Sequence, residues 1–177
     1  ILNHNHKPTM IGFITNYEKS KRFVDLEKLK DLINVDKRQV NFVSVLVNPD
    51  DVILENIKNL DFDYYQLYDV NPNRTKEIKS KFKKKIITAL TISSKDDVDK
   101  YKDYSEISDI ILFDSKGYAK SESFDHSLLD DVPSDLSKMI AGNIQINDIP
   151  NFKNKEFIVD LSAPLRSTID SLFLELG

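Results

Sequence analysis

The chain contains no cysteine. That absence excludes disulfides and thiolate metal ligation, and it makes the cytosol the default compartment. No apolar run approaches the roughly 18 residues of a membrane span, so no membrane association is expected. Nor does a basic segment followed by an apolar stretch open the chain, as it would in a signal peptide. The formal net charge of −4 and a pI of about 5.4 give nucleic acid little to bind. A Gly-rich phosphate loop, a Ser-His-Asp order and a cluster with metal-ligand spacing are all missing, and no metal is expected.

What is present is a globular composition. Of 177 residues, 40% are apolar and 31% charged, too apolar and too evenly charged for disorder. The length suits one domain with a sizeable core. Two patterns alternate along it. Short apolar runs read as strands at 9–14, 40–47, 63–67, 85–92, 109–113, 138–141 and 156–161. Most are apolar on both faces, as parallel strands covered on each side must be. Between them lie charged segments with apolar residues at helical spacing. Asp25 is placed to cap a helix over Leu26 to Ile33, and Pro49-Asp50-Asp51 opens a second. Arg74 to Phe82 forms a third, and Ser94 to Tyr104 a fourth that begins with a capping pattern. Shorter helices are expected at 124–129 and 144–149, and a last one at Ser167 to Leu176.

Seven strand–helix units imply right-handed parallel crossovers. An open doubly wound sheet fits, and so does an eight-stranded barrel lacking one strand. The segment before Thr9 favours the barrel, because Ile1 to His4 reads as a helix tail and the chain starts with Ile rather than Met. The fold class expected is therefore α/β, a TIM (β/α)8 barrel over residues 1–177, N-terminally incomplete, with its first strand and most of its first helix upstream.

In either architecture a ligand lies at the carboxyl ends of the strands. Asp114 directly follows an apolar run there; it is a candidate general acid, or else a cap for the next loop. Asp160, read as lying inside the last strand, is functional or else paired with a lysine or backbone amides. Gly142-Asn143 and Ser162-Ala163 each end a strand and turn into a short helix, a setting that presents backbone N–H groups to an anion. Arg22 follows the first strand and is a carboxylate clamp or a solvated loop residue. His4 and His6, His126, the Lys79–Lys85 run and Tyr64, Tyr65 and Tyr68 read as structural or solvated.

Several of these stretches together resemble phosphoribosylanthranilate isomerases. Gly12-Phe13-Ile14 followed by Ser20-Lys21-Arg22-Phe23-Val24 is similar to that family's second-strand pattern, and Val45-Leu46-Val47-Asn48 to its third. Tyr65-Gln66-Leu67-Tyr68-Asp69, Leu112-Phe113-Asp114-Ser115, Ser123-Phe124-Asp125-His126, Ile140-Ala141-Gly142-Asn143-Ile144 and Val159-Asp160-Leu161-Ser162 follow in the family's order. The resemblance implies a cofactor-independent Amadori rearrangement of a small phosphorylated substrate. Asp114 would be the acid, Arg22 would hold the anthranilate carboxylate, and Asp160 would lie near the amine. The backbone of Gly142, Asn143, Ser162 and Ala163 would hold the phosphate. The family's base, a cysteine on its first strand, falls outside this sequence. Asn143 stands for the second glycine of a Gly-Gly pair, Tyr68 for a histidine, and Ala163-Pro164-Leu165 for Gly-Val-Glu. These departures motivate a second reading, a diverged barrel that binds a phosphorylated ligand without catalysing the step. Oligomeric state is not legible.

Overall fold

The computed structural model describes residues 2, 7–115, 123–152 and 156–161. Among these residues there are seven strands: β1 (Met10–Ile14), β2 (Asn41–Val47), β3 (Tyr64–Tyr68), β4 (Lys85–Ile92), β5 (Ile110–Ser115), β6 (Lys138–Ile140) and β7 (Phe157–Val159). They follow one another across the sheet in chain order. The β1–β2, β2–β3, β5–β6 and β6–β7 pairings are parallel. A doubly wound sheet reverses its strand order at a switch point; a sequential parallel order is that of a (β/α)8 barrel, with seven strands among the described residues.

Helices α1 (Leu26–Ile33), α2 (Asp51–Ile57), α3 (Pro72–Phe82) and α4 (Lys95–Asp99) separate the strands. Their starts are set by side chains that accept orphan backbone N–H groups. Asp25 accepts from Lys28 N, Asp50 from Ile53 N and Asn71 from Arg74 N. Ser94 and Asp97 form a reciprocal capping box. α3 starts two residues earlier than its apolar spacing suggests, because Pro72 is pre-set for a first helical turn. The segments expected as helices after β5 and β6 are 3-10 turns, His126–Leu129 and Ile146–Phe152, the second with Pro150 inside it. The expected helix 167–176 and the helix tail at the start lie outside the described residues.

Two compact units divide the chain, Ile1–Thr88 with Glu106–Asp109, and Ala89–Ser105 with Ile110–Gly177. In the first, Phe42, Leu46, Tyr65, Leu67 and Ile86 pack against Leu29, Ile33, Leu54, Ile57, Ile78 and Phe82 of the helices. In the second, Ile111, Phe113 and Ile140 pack against Val98, Leu129, Val132 and Phe152. Alternation along each strand then assigns the other residues to the face away from the helices.

The Lys79–Lys85 run, expected to be solvated, is largely tied down. Lys79 pairs with Asp109 at 2.9 Å, and Lys81 bridges Asp51 and Glu55. Lys84 donates to the carbonyls of Leu60 and Phe62. Lys83 takes the left-handed conformation that ends α3. Asp63 and Asp109 play matching parts: each precedes a strand and accepts the backbone N–H of the strand before, Phe42 at 2.7 Å and Ile86 at 2.8 Å. A lysine holds each carboxylate in place, Lys37 for Asp63 and Lys79 for Asp109.

Candidate active site

In the second unit, strand register assembles the site. Phe113 aligns with Ile140, and Ile140 with Val159. Phe113 and Ile140 belong to the helix-side core, and Val159 packs against it. The next residue on each of the three strands therefore turns to the opposite face: Asp114, Ala141 and Asp160. Backbone bonds hold that row in place, Ala141 N to Phe113 O at 3.0 Å and Asp160 N to Ile140 O at 2.9 Å. Two half-buried carboxylates thus flank Ala141. Two strand spacings separate their Cα positions, roughly 10 Å. Asp160, expected within the last strand, lies one residue past its end, where β7 stops at Val159. The strand is shorter than the apolar run because its pairing with β6 covers only three residues.

The chain leaves this row through Gly142 and Asn143, both at positive φ, 102° and 49°. Gly142 must be glycine for a second reason. A Cβ there would stand 2.4 Å from the Ser115 Oγ and 2.6 Å from the Ser115 Cβ. The loop backbone thus lies directly on the residue that follows Asp114. Asn143 replaces a glycine of the resembling pattern, yet Asn is among the residues that tolerate the left-handed region. The close approach keeps its glycine, and the neighbouring turn keeps a residue that can make it. Gln145 Nε2 donates to the carbonyl and side-chain oxygens of Asn143 at 3.1 and 2.9 Å. Gln145 N in turn donates to Asp148 at 2.8 Å. Ser162 and Ala163 lie outside the described residues.

The loop after β4 is occupied by its own chemistry. Asp97 accepts from the backbone N–H and hydroxyl of both Ser93 and Ser94. Its bond with Lys100, followed by those from Ser93, holds the Asp97 carboxyl well below the usual range. Those serines serve the turn.

In the first unit, Arg22 is exposed on the loop that leaves β1, and no ion pair engages it among the described residues. The loop is well defined. Ser20 N donates to Tyr17 O, Arg22 N to the Ser20 hydroxyl, Phe23 N to Ser20 O and Val24 N to Ile14 O. Ile14 and Phe23 form a parallel bridge. At its start, Asn16 bonds the backbone of Val47 twice, a pairing that residue spacing alone does not show. At the end of β3, Gln66 donates to the Tyr68 hydroxyl at 3.3 Å. Asn48 and Asp69, directly after β2 and β3, are at φ 39° and 56°. His126 lies between the rings of Phe124 and Phe152, at 5.0 and 5.4 Å. Among the described residues, no three His, Asp or Glu side chains converge as a metal site. No described helix is long and apolar enough to cross a membrane.

Similarity to known proteins converges on one family. The sequence pattern of the family "N-(5'phosphoribosyl)anthranilate (PRA) isomerase" matches residues 3–166. The chain is 31% identical over 149 residues to the N-(5'-phosphoribosyl)anthranilate isomerase of Rhodopseudomonas palustris, covering 79% of this chain and 68% of that protein. It is 30% identical over 169 residues to that of Rhizobium rhizogenes, covering 90% and 72%. A solved phosphoribosyl anthranilate isomerase, in complex with reduced 1-(o-carboxyphenylamino)-1-deoxyribulose 5-phosphate, superposes with a TM-score of 0.74 at 22% identity, covering 88% of this chain and 76% of that one.

Proposed function

The chain belongs to the N-(5'-phosphoribosyl)anthranilate isomerase family, and we infer that it carries out that family's step in tryptophan biosynthesis, the isomerisation of N-(5'-phosphoribosyl)anthranilate. The observation that carries the reading is the row Asp114–Ala141–Asp160 beside the Gly142 turn. It supports a carboxylic acid next to an anion-binding loop, as a phosphorylated substrate of this kind requires.

In this reading Asp114 is the general acid. It gives its proton to the ribose ring oxygen as the C1′–O bond breaks and the amine lone pair forms the C=N bond of a Schiff base; the C2′ proton is then taken by the family's base, which falls outside this sequence. Asp160, two strands away in the same row, contacts the substrate near its amine. The backbone N–H groups around Gly142, Asn143, Ser162 and Ala163 hold the phosphate; the positive φ of Gly142 and Asn143 supports this reading. Arg22 clamps the anthranilate carboxylate through a planar, two-pronged guanidinium. Residues 1–177 act as one incomplete barrel domain in the cytoplasm, on a small phosphorylated ligand and without a cofactor.

The test is consumption of phosphoribosylanthranilate by the protein produced from its own gene, followed by loss of substrate fluorescence. Turnover that follows enzyme concentration is expected. Tight binding of the reduced product analogue with no turnover would overturn the catalytic reading and leave a ligand-binding barrel.

A further inference from the structure

We propose that Asn16 is a positioning residue for Arg22, fixing the place of the guanidinium by closing the end of the β1–β2 ladder with its side chain; this rests on the reading of Arg22 as the carboxylate clamp. The two strands end at different heights. Ile14 aligns with Val45, and Thr15 N still donates to Val45 O at 3.1 Å, yet β2 runs on to Val47. In a parallel ladder the next rung would need the main chain of β1 to continue alongside Val47. It does not. The Asn16 amide takes that rung instead, its Nδ2 donating to Val47 O at 2.8 Å and its Oδ1 accepting from Val47 N at 2.9 Å.

A side-chain amide has the donor and acceptor of a peptide group, so β2 keeps both of its end bonds while the main chain is released to turn away. What it turns into is the Arg22 loop. From Tyr17 the chain folds back through Ser20 and rejoins β1 at the Ile14–Phe23 bridge, one residue after Arg22. Asn16 pins the start of this excursion and the bridge pins its end. No smaller or single-function side chain substitutes. Aspartate accepts but does not donate, serine is too short, and leucine has the size without either bond.

Calorimetric titration tests this with two probes: reduced 1-(o-carboxyphenylamino)-1-deoxyribulose 5-phosphate, and the same compound lacking the carboxylate. Arg22→Ala is expected to weaken the first probe and leave the second unchanged; an equal loss for both probes, or no loss for the first, would refute the reading of Arg22 itself. Asn16→Leu is expected to show the same selectivity, with about a tenfold loss for the carboxylate probe. The double variant is expected to bind it no worse than Arg22→Ala alone, because the two side chains act through one contact. If Arg22→Ala behaves as expected but Asn16→Leu weakens both probes alike, or the two losses multiply, the proposal for Asn16 fails while that for Arg22 stands. Should Asn16→Leu not fold, Asn16→Asp, which keeps only the bond from Val47 N, must show a smaller selective loss; no selectivity there overturns the proposal equally.

Discussion

The two compact units are held together by different means. In the first, β2 spans seven residues and β3 five, and α1, α2 and α3 have eight, seven and eleven residues, each with a side-chain cap. Its buried cluster joins strands to true helices. In the second, β6 and β7 have three residues each, and the segments after β5 and β6 are 3-10 turns. Backbone rungs fix the first unit. Tight individual fits fix the second: Gly142 on Ser115, Gln145 on Asn143, Asp97 on two serines. The carboxylate row sits in the unit with fewer rungs. Ligand-binding segments are commonly drawn from the less stable part of a fold, where they can adjust to what they bind.

The largest expected effect sharpens that contrast. Leu54→Ala removes a fully buried α2 side chain from the first unit and is expected to cost about 3 kcal/mol in urea titrations. Leu129→Ala removes a comparably buried side chain from a 3-10 turn of the second, and is expected to cost about 2 kcal/mol because a short turn relaxes into the space. Equal losses would break the comparison.

Gly142→Ala comes next. It must relieve a 2.4 Å contact and adopt φ 102°, so a loss of about 2 kcal/mol is expected. Ser115→Gly in the same chain removes the side-chain contact but neither the strain nor the 3.0 Å approach to the Ser115 N position, and is expected to restore roughly half of that by the same measurement. Full restoration would mean that the fit on Ser115, and not the backbone, fixes this turn.

Even the first unit has a flaw to exploit. The Tyr65 hydroxyl is buried with no hydrogen-bond partner among the described residues, and burial pushes its pKa up to about 12. Tyr65→Phe is therefore expected to raise stability by about 1 kcal/mol. The sign of the pH effect follows from linkage. The folded pKa lies above the unfolded value of 10.0, so the neutral phenol's contribution is complete below pH 10 and fades as pH rises towards 12. Thermal melts across that range should fall for the native chain and stay flatter for the phenylalanine variant.

The smallest effect belongs to Asp97. Its folded pKa is depressed, so its contribution is present above the ordinary value of 3.8 and is lost as pH falls below it. Asp97→Asn should lower the melting temperature modestly at neutral pH and flatten the acid limb, the two profiles meeting at low pH. An unchanged acid limb would remove Asp97 from the account of the β4 loop.

How much of this could be read from the residues depends on range. All seven described strands were legible because each is a short apolar run, most of them apolar on both faces. The caps at Asp25 and Ser94, and the opening of a helix at Pro49-Asp50-Asp51, were legible because a cap lies within three residues of what it binds. Asp114 was legible as a residue at a strand mouth. Its alignment with Asp160 was not, since register between β5, β6 and β7 is set by packing across some 50 residues of chain. The contacts of Asn16 and Ser115 stayed hidden for the same reason: one matters through Val47, the other through Gly142, and neither partner is near in sequence. The 3-10 turns were misread as helices because apolar spacing over four to seven residues does not distinguish the two.

Asp114→Asn offers the most direct test, measured as kcat for phosphoribosylanthranilate and, separately, as affinity for the reduced product analogue. Loss of the acid is expected to lower kcat by about 10²- to 10⁴-fold while analogue affinity changes by less than about threefold. A variant that turns over as fast as the native protein would contradict the assignment of Asp114 and, with it, the account of the three-strand row.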